Sequence, residues 1–254
     1  MELYEKTLYT KKIKYLIHPI YEYDIQKANI SILLQYGYIS SQEFNMYCNM
    51  NKLQRQIAIG KLQKNPKYAK ALNVGFEEAR RMLIQQNNIK EEEVISIKKD
   101  ALYVMRKLNI TTFGHINFTI RNYFNMFLLC RGIEIYFDHN DITGECILDF
   151  KGINDSKLYL HDSYISEIAC ILSLVQLCNI DNAIKELIDF MKKYDNRELD
   201  ISYYREFNSS SMFRLGNYGV LDISEEYKPV LNIDNNQLFN RELLGILTDI
   251  KFSK

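Results

Sequence analysis

No tryptophan occurs in the chain, and 254 residues hold only three prolines and ten glycines. So little proline excludes a proline-rich linker or recognition arm. The glycines lie apart, Gly114, Gly132 and Gly144 as isolated turn residues, and form no phosphate-cradling loop. Five cysteines (Cys48, Cys130, Cys146, Cys170, Cys178) are odd in number and lack both C-x-x-C and mixed His/Cys ligand spacing. That excludes a disulfide framework or zinc module and points to reduced thiols in a cytosolic compartment. His18, His115 and His161 fall in separate elements with no ligand spacing. Ser209-Ser210-Ser211 lacks the Gly-x-Ser-x-Gly setting of a nucleophile. The first dozen residues contain no apolar signal region, and no later run reaches bilayer length, so a soluble, intracellular, cytoplasmic protein is expected, with no membrane partner. Net charge is zero, which removes any global basic field; contact with nucleic acid must rest on local charge.

The chain is 47% hydrophobic, ample for a large core. Tyr15–Ile17 predicts an edge strand behind Lys11, Lys12 and Lys14, ended by Pro19, which cannot donate to a ladder. Ile20–Ile25 predicts a core strand, and the spacing of Ala28, Ile32, Leu33 and Tyr36 a helix closed by Gly37. Ser40-Ser41-Gln42-Glu43 carries a capping signature for a helix to about Met50. Pro66 then divides two more helices, the second from Lys67 to Gln86. Strands follow at 116–118, 123–129, 133–137 and 146–150, with turn signals at Gly114, Arg131-Gly132 and 140–144. Helices from His161 to about Cys178 and from Ile180 to Tyr194, a hairpin around Gly216–Gly219 and a last helix near 240–250 complete the reading.

Two aspartates stand out. Asp24 ends a short apolar strand and opens a helix. Asp100 sits at the tip of a hairpin, between Val94, Ile95, Ile97 and Leu102, Tyr103, Val104. Aspartate is common in turns because its carboxylate bonds nearby backbone N–H groups, so either residue alone is ordinary. Between them, however, residues 51–81 carry Lys52, Arg55, Lys61, Lys64, Lys67, Lys70, Arg80 and Arg81 against Glu77 and Glu78, a basic stretch that the neutral total conceals. Lys52 and Arg55 are three apart and share a helix face; Lys61, six beyond Arg55, is less well aligned.

This order of parts resembles the palm of right-hand nucleic-acid polymerases, over residues 20–105. Asp24-Ile25-Gln26-Lys27-Ala28 resembles the first palm motif of reverse transcriptases. Lys99-Asp100-Ala101-Leu102-Tyr103-Val104 resembles their third, with Ala101 where that motif has a second Asp; A- and B-family DNA polymerases have related hairpins. Arg55 through Gly60 resembles the basic-then-glycine pattern of the finger helix, and Asn29 stands at the position that senses the sugar. The resemblance implies metal-dependent nucleotidyl transfer. Asp24 and Asp100 would be catalytic ligands of Mg²⁺ or Mn²⁺, and Lys52, Arg55, Lys61 and Asn29 would bind nucleotide. The partners would be a nucleoside triphosphate, a primer and template, and other polymerase subunits in DNA replication. Such chemistry needs hard oxygen ligands converging from adjacent strands and cations beside the triphosphate. The alternative is a catalytically inactive polymerase-like α+β protein serving as an interaction module.

The expected fold is α+β: an antiparallel, palm-like sheet over 1–160 with helices on one face and a fingers-like basic helical insertion at about 37–90, then a helical, thumb-like part over 161–254. Three other patterns have bland readings: Glu91-Glu92-Glu93 as a solvated turn, Asp138-His139-Asn140-Asp141 as polar punctuation, and Tyr123, Phe124, Phe127, Tyr136 and Phe137 as strand aromatics of which half face inward, the rest being able to stack on bases.

Overall fold

The computed structural model describes residues 2–5, 13–140, 142–151, 161–204, 213–214, 220–221 and 228–253. In chain order its elements are β1 (Tyr15–Ile25), α1 (Ala28–Gln35), α2 (Ser41–Cys48), α3 (Lys52–Gln63), α4 (Pro66–Gln86), β2 (Val94–Ile97), β3 (Ala101–Val104), β4 (Thr112–Phe113), β5 (Ile116–Cys130), β6 (Ile133–His139), β7 (Cys146–Lys151), α5 (Asp162–Gln176), α6 (Ile180–Asp195), β8 (Phe213–Arg214), β9 (Val220–Leu221) and α7 (Lys228–Phe252). The fold is α+β. The strand order of the antiparallel sheet is β2-β3-β1-β5-β6-β7 with β4 on β5, and β8 pairs separately with β9. Internal contacts divide the chain into one unit of residues 1–10 and 19–123 and another of 11–18 and 124–254. That division differs from the boundary near 160 expected from the sequence, because β1 and β5 each run through both units.

In the first unit the helix starts are written locally. The Ser40 hydroxyl accepts the Glu43 N–H while the Glu43 carboxylate accepts the Ser40 N–H, a complete capping box for α2. Asn51 and Gln54 repeat the device on α3, and Asn65 caps α4 with Pro66 in its first turn. Leu72, Phe76, Ala79 and Leu83 of α4 bury against Ile32 and Leu33 of α1 and against Tyr23, Ile25, Leu102 and Val104 of the strands. The 37–90 segment is therefore not an appended insertion: α4 supplies much of this unit's core.

Two expectations about strands are corrected. β1 does not stop at Pro19 but continues through it to Ile25. Its pairing with β3 begins only at Tyr21, so the proline's missing N–H costs no bond on that side. The two strands expected at 116–118 and 123–129 are one, β5; the polar residues between them remain extended because Arg121 and Asn122 reach carboxylates on β1.

In the second unit, Met126, Leu128, Ile135 and Phe137 pack with Tyr164, Ile168 and Leu172 of α5, Leu187 and Phe190 of α6, and Leu243 and Leu247 of α7. α7 begins at Lys228, well before the expected 240, with Pro229 in the first turn where proline is tolerated. The strands flanking the expected C-terminal hairpin pair as Phe213 with Leu221 and Arg214 with Val220. The Gly216–Gly219 turn, Ser209–Ser211, Lys11, Lys12 and Asp141 lie outside the described residues. Among the described residues no helix is long and apolar enough to cross a membrane.

Candidate functional site

The ends of β1 and β3 meet in the first unit. In the β1–β3 ladder Asp24 lies opposite Ala101, which brings the preceding hairpin tip, Asp100, to the end of β1. The Ile25 N–H donates to the Asp100 carbonyl at 3.1 Å and closes the junction. The hairpin is tight, with the Lys98 N–H donating to the Ala101 carbonyl at 2.8 Å. It is also anchored from behind. Arg80 of α4, only 9% exposed, donates to the Lys99 carbonyl and to the Tyr4 carbonyl, each at 2.9 Å. The Lys99 ammonium sits 4.9 Å from the Phe76 ring centre. Arg80 therefore does not belong to the exposed basic surface that its sequence position suggests, and Arg81 is held by Glu78 at 2.6 Å.

A cavity of about 210 Å³ opens beside the tip, lined by Asp100, by Lys27 and Asn29 at the start of α1, and by Lys52, Arg55 and Gln56 of α3. The α3 residues recur at three- and four-residue spacing, so one helix face delivers them. Arg55 donates to the Met50 carbonyl at 3.1 Å, fixing its guanidinium. At the other wall, α1 starts from Lys27 in the left-handed region (φ 48°) with no side-chain cap. The Ile30 and Ser31 N–H groups turn back to the Lys27 carbonyl at 3.1 and 3.2 Å, no side chain caps the turn before them, and the positive end of the helix favours an anion. Of the residues singled out for nucleotide contact, Asn29, Lys52 and Arg55 line this cavity. Lys61 does not: it is exposed in the last turn of α3, round the helix from that face.

Asp24 is set slightly apart, off the cavity wall, in a cluster that the sequence reading missed. Arg121 of β5 approaches its carboxylate at 3.5 Å and that of Glu22 at 4.0 Å. Glu22 is almost wholly buried, accepting from the Tyr103 hydroxyl at 2.7 Å and from the Asn122 amide at 2.5 Å. Burial, then repulsion from Asp100, lifts the Asp24 carboxyl from its ordinary 3.8 to about 6, with Arg121 opposing and Glu22 adding to the rise. One of its oxygens, Oδ1, is buried with no hydrogen-bond partner. Two neighbouring carboxylates, one with an unsatisfied oxygen and a raised pKa, fit a divalent cation, which would relieve both the repulsion and the orphaned oxygen. Among the described residues no set of three acidic, histidine or cysteine side chains gathers as a metal cluster. Mg²⁺ is compatible with so sparse a set, since it commonly takes one or two carboxylates and completes its shell with water and substrate phosphate.

The remaining patterns are structural. Glu93 accepts from Arg106 at 2.6 Å and from the Lys90 N–H. Asp138 accepts from the Asn125 amide at 2.6 Å. Of the strand aromatics, Phe124, Phe127, Tyr136 and Phe137 are all at most 1% exposed, more than the half expected to face inward, so these four present no stacking surface.

Comparison with known protein families matches residues 1–249 to the model described as Bacteriophage PBS1 gene 130 protein. No curated protein matches the chain.

Proposed function

The chain belongs to the bacteriophage PBS1 gene 130 protein family, a description that carries no chemistry, and we propose from the site that it performs metal-dependent nucleotidyl transfer on a nucleic-acid primer, in the cytoplasm and as one subunit of a divided polymerase. The observation that carries this reading is the cavity in which Asp100 faces Asn29, Lys52 and Arg55, with Asp24 within electrostatic reach. Lys52, Arg55 and the positive start of α1 hold a triphosphate; Asn29 lies beside the sugar. Asp24 and Asp100 would hold a divalent cation, which would supply Lewis-acid activation of the attacking 3′-oxygen and offset charge on the phosphates. Arg80 keeps the hairpin backbone rigid, so that the Asp100 carboxylate is positioned before substrate arrives.

The residue facing Asp24 across the ladder is Ala101, where the resembling motif has an acid, which favours a binding module that has lost the chemistry. Primer extension with labelled nucleoside triphosphates and Mg²⁺ or Mn²⁺ separates the two. Extension by the wild type that drops by about 10²-fold or more in Asp24→Asn and in Asp100→Asn supports transfer. Extension indifferent to both substitutions, or none by the wild type, sinks it and leaves the module.

A further inference from the structure

A second concavity lies on the same unit, between the end of α1 and the first half of α4. It encloses about 370 Å³ and is lined by Tyr36, Tyr38, Lys67, Lys70, Val74 and Gly75 among others. Its walls follow from local sequence. Gly37, in the left-handed region at φ 70°, turns the chain out of α1 and so sets a tyrosine on either side of the turn. Lys67, Lys70 and Val74 recur on one face of α4. Gly75 makes the floor: a β-carbon there would lie 2.2 Å from Ile32 Cγ2 and 3.2 Å from Tyr36 Cε2, so only glycine lets the tyrosine settle against α4.

We propose that this groove binds single-stranded nucleic acid, with bases against Tyr36 and Tyr38 and backbone phosphates on Lys67 and Lys70. The charge is complementary: Lys64, Lys67 and Lys70 are exposed, and Glu78, an acid whose charge acts on the Tyr36 hydroxyl, is paired with Arg81 at 2.6 Å. The aromatic component is built. Tyr38 lies 6.2 Å from Tyr68, ring centre to ring centre, with the Lys67 ammonium 5.5 Å from its own centre, and Tyr36 is 38% exposed. Rings interleaved with cations are what an unpaired strand requires, because every base has a π-face and every linkage a charge. An acidic peptide would use the lysines and leave the rings idle. This extends the nucleotidyl-transfer reading, and rests on it only for the strand's role as template; binding itself needs no chemistry at Asp24 or Asp100.

The test is fluorescence anisotropy of the full chain with a labelled thymidine homopolymer of about 12 nucleotides, in EDTA, at low salt and without nucleotide. Wild type binds; Lys67→Ala and Tyr38→Leu, which retains apolar bulk under α4, each weaken binding by about tenfold. An abasic strand of equal length binds more weakly to wild type and is indifferent to Tyr38→Leu. No binding by wild type, or wild-type affinity in both variants, overturns the groove. Strand binding without primer extension would remove the nucleotidyl-transfer reading and leave the groove standing; extension without groove-dependent binding would do the reverse.

Discussion

Asp24 is the residue at which stability and the proposed chemistry oppose one another. Its carboxyl, lifted to about 6, binds a proton more tightly in the folded than in the unfolded chain, where 3.8 is usual. The stabilisation from the protonated form is therefore fully present below about pH 4 and is lost as pH rises through about 6. Asp24→Asn keeps the neutral form at every pH. In urea unfolding it should match the wild type near pH 4 and exceed it near pH 7.5 by about 1–3 kcal/mol, the upper figure reduced because Arg121 can shift to follow the charge. Equal stability at both pH values would show that burial does not penalise this carboxylate. Asp24 and Asp100 were legible in the sequence because strand-end and hairpin-tip aspartates carry local signals, and Lys52 and Arg55 because three-residue spacing fixes a helix face. By the same rule Lys61, six beyond Arg55, is out of phase, and it does not line the cavity. Glu22 had a usable signal, since it alternates with Asp24 along one strand face. Arg121 and Arg80 had none: each reaches its partner across a long separation in sequence that only the folded strands and helices define.

At the scale of elements, the start of α2 was legible because Ser40 caps within three residues of itself, whereas α7 begins at Lys228, well before the expected 240; Asn51 and Asn65 cap α3 and α4 just as locally. Strand ends were less legible. Pro19 and the polar run at 119–122 resemble breaks locally, yet both stay extended, the latter through contacts that β1 provides. The packing of α1 on α4 was not legible at all, since nothing near Gly75 announces Ile32 as its neighbour. Gly75→Ala should reveal that contact. In an open helix interior the change would add about 1 kcal/mol of stability. Here the new methyl meets the branch-point methyl of Ile32, a wholly buried side chain, and one helix must move. A net loss of about 1–2 kcal/mol in chemical denaturation is expected, together with weaker strand binding, as Tyr36 rests on the same spot. A gain in stability would show that α1 and α4 approach less closely than this.

Over the whole molecule, positive and negative charges cancel, so no long-range field draws a polyanion to the chain at large. Any attraction to nucleic acid must arise where cations outnumber acids locally, and α3 with the first half of α4 is such a place: Lys61, Lys64, Lys67 and Lys70 are exposed there without an intervening acid. The salt dependence of binding reads this directly, because each phosphate neutralised on a single strand contributes about −0.7 to the slope of log K against log salt. Contacts from Lys67 and Lys70 predict a slope of about −1.4. Lys70→Ala should make it shallower by about 0.7, whereas Lys185→Ala, which removes the same charge from the exposed face of α6 in the other unit, should leave it unaltered. If both substitutions flatten the slope equally, the attraction belongs to the protein's overall charge, and the lysines of α4 do not form a strand-binding surface.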